Sequence, residues 1–207
     1  IIIVDIVASL YRRENLYETL NDITNDIFIP ITAGGGVRSV EDINNLLNAG
    51  ADRVFLNTFA LNNIDILNDS ADRFGQQFLS IVIEVKKIDN KYYCMKNHGR
   101  DNSGFELFQW VDILKKNKIG EIIIQSIDDD GMQCGFDKDL LELIGTLDIK
   151  VPVVVGGGVG NKDHCVEILK KDFISGVTIS SSLYTNEVNI IDLKKELKKE
   201  NIAINEL

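Results

Sequence analysis

Two glycine triplets, Gly34–Gly36 and Gly156–Gly158, stand in the same local context: "IPITAGGGVRS" at residues 29–39 and "VPVVVGGGVGN" at residues 151–161. In each, a proline opens a β-branched run and a helical pattern follows the glycines. Glycines at a strand end expose backbone N–H groups with no Cβ in the way. A helix N-terminus just beyond adds partial positive charge, and the two together suit a phosphate dianion. Small polar residues close the next apolar run in both copies, Asn57 and Thr58 after the first triplet and Ser180, Ser181 and Ser182 after the second. One triplet alone would only let the chain turn tightly. The repeated constellation, with Gly35, Gly36, Gly157 and Gly158 at its centre, predicts two phosphate sites and a small-molecule substrate phosphorylated at both ends.

Carboxylates form the second chemical theme. "SIVIEVK" puts Glu84 in an otherwise apolar strand end, where desolvation raises a carboxyl pKa and suits it to general acid–base work. The plainer alternative is a rim ion pair between Glu84 and Lys86. Asp128, Asp129 and Asp130 precede Gly131 in one loop. At least one of them is expected to cap the loop, and spacing does not say which does chemistry. Asp5 closes the first apolar run. Cys94, Cys134 and Cys165 are odd in number and lack CxxC spacing, so they read as core or loop thiols, and His98 and His164 stand without a ligand pattern. Neither a metal nor a cofactor is expected.

The elements that must position these groups are legible as seven Ile- and Val-rich runs, at residues 1–6, 29–33, 53–57, 78–85, 121–126, 151–155 and 176–180. Segments of helical period alternate with them. "SVEDINNLLNAGA" puts Val40, Ile43, Leu46 and Leu47 on one face and stops at Gly50; "FELFQWVDILKKNKIG" does the same with Phe105, Phe108, Val111 and Leu114. Nearly continuous apolar runs are the pattern of parallel strands buried on both faces. The glycine loops lack the G-x-G-x-x-G of a dinucleotide-binding first turn, and a duplicated half-barrel of four βα units accounts for a period near 120 residues. The fold expected is therefore an α/β (β/α)8 TIM barrel with a two-fold half-barrel repeat, in one domain over residues 1–207. Its active site belongs at the C-terminal strand ends. "KKIDNKYYCMKNHG", with a turn at Asp89-Asn90, predicts a hairpin projecting from the fourth visible strand.

Because "IIIVDIVAS" resembles "EIIIQSIDDDG", the first half aligns with the second from its second unit onward. On that reading a βα unit of roughly 45 residues precedes Ile1 and the barrel is incomplete at its N-terminus. A formal charge of −10 and a pI of about 4.7 disfavour nucleic acid, and no apolar run approaches a membrane span. A cytosolic enzyme acting on a metabolite is expected.

The stretches "FIPITAGGGVRSVEDINNLLNAGADRVFLNT", "ADRFGQQ", "GEIIIQSIDDDG" with "GFD" soon after, and "VPVVVGGGVGNKDH" resemble the cyclase subunit of imidazole glycerol phosphate synthase. The resemblance implies a barrel that takes ammonia from a glutaminase partner in a heterodimer. It implies a bisphosphorylated aminoimidazole-carboxamide ribulotide as substrate, converted to imidazole glycerol phosphate and the carboxamide ribotide of histidine and purine metabolism. It assigns Gly36, Asn57 and Thr58 to one phosphate, and Gly157, Gly158, Ser181 and Ser182 to the other. Asp130 becomes the acidic loop residue near the substrate and Asp5 an inner strand-end acid. Of the family's two catalytic aspartates, the second corresponds to Glu84, one methylene longer, and the first falls in the unit expected before Ile1. Met132 stands where the family has a threonine. "DIVASLYRRENL" and "NHGRDNSG" resemble a cyclase-like branch found with surface-sugar genes, in which the barrel conducts ammonia to a sugar-modifying enzyme. That conduit role is the alternative function. The sister isomerase barrel is a third, disfavoured by the "DxDG" loop.

Overall fold

The computed structural model describes residues 1–5 and 15–204. Ile6, at the end of the first apolar run, and most of "DIVASLYRRENL" lie outside the described residues.

All seven apolar runs form strands, and each runs parallel to the next of the seven. In chain order they are β1 (Ile2–Val4), β2 (Thr32–Gly34), β3 (Arg53–Leu56), β4 (Leu79–Ile88), β7 (Glu121–Ser126), β8 (Val153–Gly156) and β9 (Gly176–Thr178). They hydrogen-bond in that same order, each to the next in sequence. Between them run α1 (Asn15–Thr24), α2 (Val40–Asn48), α3 (Thr58–Asn62), α4 (Asp65–Phe74), α5 (Leu107–Leu114), α6 (Lys138–Thr146), α7 (Lys162–Leu169) and α8 (Ser181–Tyr184), with α9 (Ile190–Lys199) last. Sequential order with a helix at each crossover is the wall of a (β/α) barrel. Among the described residues β1 and β9 are not hydrogen-bonded to each other.

Period-two alternation sorts each strand into an outer and an inner set. Along β4 the outward Ile81, Ile83 and Val85 are all but inaccessible beneath the helices. Ser80, Val82 and Glu84 therefore share the inner face. At the N-terminal end of the wall the Arg53 guanidinium lies 2.9 Å from Glu121, whose other oxygen accepts the Ser80 hydroxyl at 2.8 Å. The middle of the wall is apolar, with Val82, Ile123 and Val154 facing inward.

Helix stops and caps agree with the sequence reading. The Ser39 side chain accepts from the Asp42 N–H to start α2, Ile43 and Leu46 are buried, and Gly50 ends the segment at φ +105°. The reading of "FELFQWVDILKKNKIG" needs correction at its start. Residues Asp101–Glu106 form a further strand, β6, which pairs with β5 (Lys91–Lys96), so the projecting hairpin is a three-stranded antiparallel meander. The helix begins only at Leu107, and its buried stripe is Leu107, Trp110, Val111 and Leu114, while Phe108 is exposed. Phe105 lies in β6, with its ring 5.6 Å from that of Trp110. The Asp89-Asn90 turn forms as expected, with φ of 49° and 61°, the two positive values that match a two-residue turn to strand twist. Cys94 and Cys165 are buried thiols whose burial pushes their pKa up to about 12 and 11, and Cys134 is exposed.

Candidate active site

The inner faces of the strands line a cavity of about 1660 Å³ that reaches their C-terminal ends. Ten residues singled out from the sequence line it: Gly35, Gly36, Asn57, Thr58, Glu84, Asp130, Gly157, Gly158, Ser180 and Ser181. They come from both halves of the barrel, more than 100 residues apart in sequence.

The half-barrel repeat extends to backbone detail. Val4 pairs with Gly34 as Gln125 pairs with Gly156, which makes Asp5 and Ser126 equivalent positions. A Cβ on Gly35 (φ +109°) would strike the Asp5 carbonyl oxygen, and one on Gly157 (φ +98°) would strike that of Ser126. Only glycine fits either place. Asn57 and Ser180, which precede the short helices α3 and α8, share one unusual conformation, φ/ψ of −134°/−90° and −132°/−82°. Each half thus presents a glycine loop beside the start of a one-turn helix.

This equivalence sets Ser180 and Ser181, rather than Ser181 and Ser182, beside the second glycine loop as Asn57 and Thr58 are set beside the first. Ser180 and Ser181 correspond to Asn57 and Thr58 and line the cavity, whereas Ser182 is 0% exposed and its hydroxyl finds no hydrogen-bond partner. Ser182 faces the barrel wall because the helical turn rotates it away from the mouth. Three other selected residues also lie outside the cavity lining. Asp5 donates its backbone N–H to the Gly34 carbonyl at 3.0 Å, and Lys86 is half-buried on β4 beyond the mouth. Asp128 is spent on the meander, its carboxylate accepting the Lys87 backbone N–H at 2.8 Å.

The aspartate triplet is thereby resolved. Asp129 accepts the Ser126 hydroxyl at 2.7 Å, so Asp128 and Asp129 both hold the loop in place and Asp130 is the one that faces the cavity. Lys87 and Tyr92 reinforce this loop, the Tyr92 hydroxyl donating to Asp137 at 2.8 Å.

Glu84 is the most constrained group in the cavity. Its Oε2 accepts the Asn57 side-chain amide at 2.8 Å and the Gly99 backbone N–H at 3.1 Å, while Oε1 lies 3.9 Å from Nδ1 of His98. A rim pair with Lys86 is not among its contacts. Burial raises its pKa above the ordinary 4.5, opposed by the His98 ring and the two N–H donors and reinforced by the Asp130 charge. Sequence reading missed several lining residues: Asn97 and His98 on the meander, Gln125 beside Glu84 on β7, and Thr178 on β9. For Gln125 and Thr178 strand parity was signal enough. Nothing in the sequence spacing could bring His98 to Glu84, since the meander folds back over the mouth. His164 serves structure instead, its Nδ1 accepting the Gly160 N–H at 3.1 Å.

The family model described as histidine biosynthesis protein matches residues 1–189. The chain belongs to the histidine biosynthesis protein family. Within this family it is 36% identical to imidazole glycerol phosphate synthase subunit HisF of Streptococcus mutans, over 99% of this chain and 81% of that protein. The HisF subunits of Exiguobacterium and of Sulfolobus acidocaldarius are 34% and 35% identical over the same share of this chain, covering 79% and 81% of their own lengths. Family membership accounts for the parallel barrel. Among the described residues no cluster of His, Cys, Asp and Glu could hold a metal ion, and no helix is long and apolar enough to cross a membrane.

Proposed function

We propose that this chain is the cyclase subunit of imidazole glycerol phosphate synthase, acting in histidine biosynthesis on the bisphosphorylated aminoimidazole-carboxamide ribulotide. The observation that carries the reading is the sharing of one cavity by Glu84, Asp130 and both duplicated glycine loops. A substrate with a phosphate at each end spans the two loops and lays its middle across the carboxyl groups. Gly35, Gly36 and Thr58 serve one phosphate, and Gly157, Gly158 and Ser181 the other. Joining ammonia to the ribulotide and releasing the carboxamide ribotide moves protons off one nitrogen and onto another. Two carboxyl groups in unlike settings, Glu84 enclosed and Asp130 exposed, suit that exchange. Asn57 orients Glu84 rather than reaching for phosphate, since its amide donates to the carboxylate.

The ammonia-conduit alternative is not favoured. It drew on Met132 and Glu84, but Met132 is 66% exposed and does not line the cavity, while Glu84 is held by three neighbours. The relatives are themselves HisF subunits. Full-length protein is expected to convert the ribulotide to imidazole glycerol phosphate when ammonium salt replaces glutamine; folded full-length protein that binds the ribulotide without turnover would sink the reading.

The relatives' names describe one subunit of a synthase. The partner is a glutaminase, docked as a heterodimer on the N-terminal face, opposite the cavity mouth. Phe28, 94% exposed, and Ile29 stand in the turn leading into β2 on that face, an apolar pair without cover in the described structure. Phe28→Asp is expected to lower glutamine-dependent turnover at least about 10-fold, the scale of an interface anchor, while leaving ammonium-dependent turnover unchanged. Equal loss in both assays would place Phe28 in folding rather than docking.

A further inference from the structure

We propose that His98 is a positioning residue for the Glu84 carboxyl group, favouring its ionised form and aiming it into the cavity; the proposal rests on Glu84 being the acid–base group of the cyclase reaction.

The argument begins at the tip of the β5–β6 meander. Asn97, His98 and Gly99 have φ of 52°, 57° and 75°, three left-handed residues in succession. Asn, His and Gly take such a turn conformation readily, as the Asp89-Asn90 turn does, so what sets this tip apart is what surrounds it. Here the surroundings are the cavity wall. The Asn97 N–H donates to the Thr58 hydroxyl at 2.9 Å, the Gly99 N–H donates to Glu84 at 3.1 Å, and the Asn97 side chain donates to Asp101 at 2.6 Å. The tip is pinned at both flanks of His98, which fixes the ring over the mouth, where it joins the cavity lining.

The two oxygens of Glu84 then have different neighbours. Oε2 takes both N–H donors, one from the end of β3 and one from the meander. Oε1 is turned to His98 Nδ1 at 3.9 Å, too far for a direct hydrogen bond and close enough for an imidazolium to stabilise the carboxylate. The other groups facing this carboxyl are Gln125, neutral, on the adjacent strand, and Asp130, whose charge works against ionisation. Of the groups that shift Glu84, His98 is the one of opposite charge. A glutamate has one more rotatable bond than an aspartate to immobilise. Asn57, Gly99 and His98 together supply that restraint.

The test is His98→Asn in the full chain, assayed with the bisphosphorylated ribulotide and ammonium chloride across pH. Asparagine tolerates positive φ, so the tip keeps its backbone, and His98→Gln serves as the second variant. The expected result is a kcat lower by about 10-fold or more with KM within about twofold, and an acid limb moved to higher pH. The direction follows from losing a cation that lowers the Glu84 pKa. A wild-type kcat with an unmoved acid limb in both variants would overturn the proposal. If the unaltered protein does not turn the ribulotide over, the cyclase reading fails by itself. The pair is then judged without substrate, by carbon-13 NMR titration of the Glu84 carboxyl in wild type and His98→Asn. An upward-moved midpoint in the variant supports the positioning role, and an unmoved midpoint overturns it.

Discussion

Glu84→Gln is expected to lower kcat by about 10²- to 10⁴-fold, the range by which a positioned acid or base accelerates proton transfer. The substitution keeps the shape of the side chain and an oxygen able to accept from Asn57 and Gly99, so substrate binding and the meander are expected to survive. Thermal unfolding separates loss of chemistry from loss of fold. Glu84 has a folded-state pKa raised by burial above its ordinary value of 4.5. Its protonation therefore favours the folded chain most below that value, and the benefit is lost as pH rises through the folded pKa. At neutral pH the glutamine variant, with no charge to desolvate, is expected to be at least as stable as the parent. Turnover in the parent should decline as pH falls through the raised Glu84 pKa, with an acid limb above that of an exposed glutamate. A glutamine variant that keeps its rate would remove Glu84 from the mechanism, and one that loses rate and melting temperature together would make it a structural residue.

Gly157→Ala should cost kcat/KM about 10- to 100-fold, the equivalent of one hydrogen bond to a charged group left unmade. The added methyl meets the Ser126 carbonyl oxygen while the residue is held at φ +98°, so the loop must move and its amides turn away from the cavity. Gly35→Ala is the same experiment in the other half, against the Asp5 carbonyl at φ +109°. If both loops hold phosphate, each variant weakens binding of the bisphosphorylated ribulotide, and inorganic phosphate added as a competitor inhibits the variants less than the parent. Isothermal titration of the ribulotide distinguishes this from a rate defect. Unchanged affinity in both folded variants would detach the glycine loops from substrate binding.

The sequence carried the architecture because a barrel wall is built from local signals repeated in order. Each β-branched run became a strand, since strands covered by helices outside and packed inside want apolar residues on both faces. The two glycine loops were legible for a related reason: only glycine survives where a neighbouring backbone oxygen occupies the place of a Cβ, so the residue type itself reports the close approach. Glu84 was visible as an acid in an apolar strand, and strand parity alone places it inward beside Val82. Where the reading failed, the deciding contact lay outside the local chain. Residues 101–106 formed a strand because β5 offered them an open edge, and Phe108 was left exposed once the helix began at Leu107. Ser182 is buried by the turn of a short helix, which presents Ser181 to the cavity. Three consecutive aspartates look alike in sequence; Lys87 and Ser126, brought in from a meander and a strand end, take the first two and leave Asp130 to the cavity. His98 is the extreme case. Its residue type carries no mark of function, and only the folding of a left-handed hairpin tip over the barrel mouth brings its ring to Glu84, because long-range proximity is a property of tertiary packing and leaves no period in the chain.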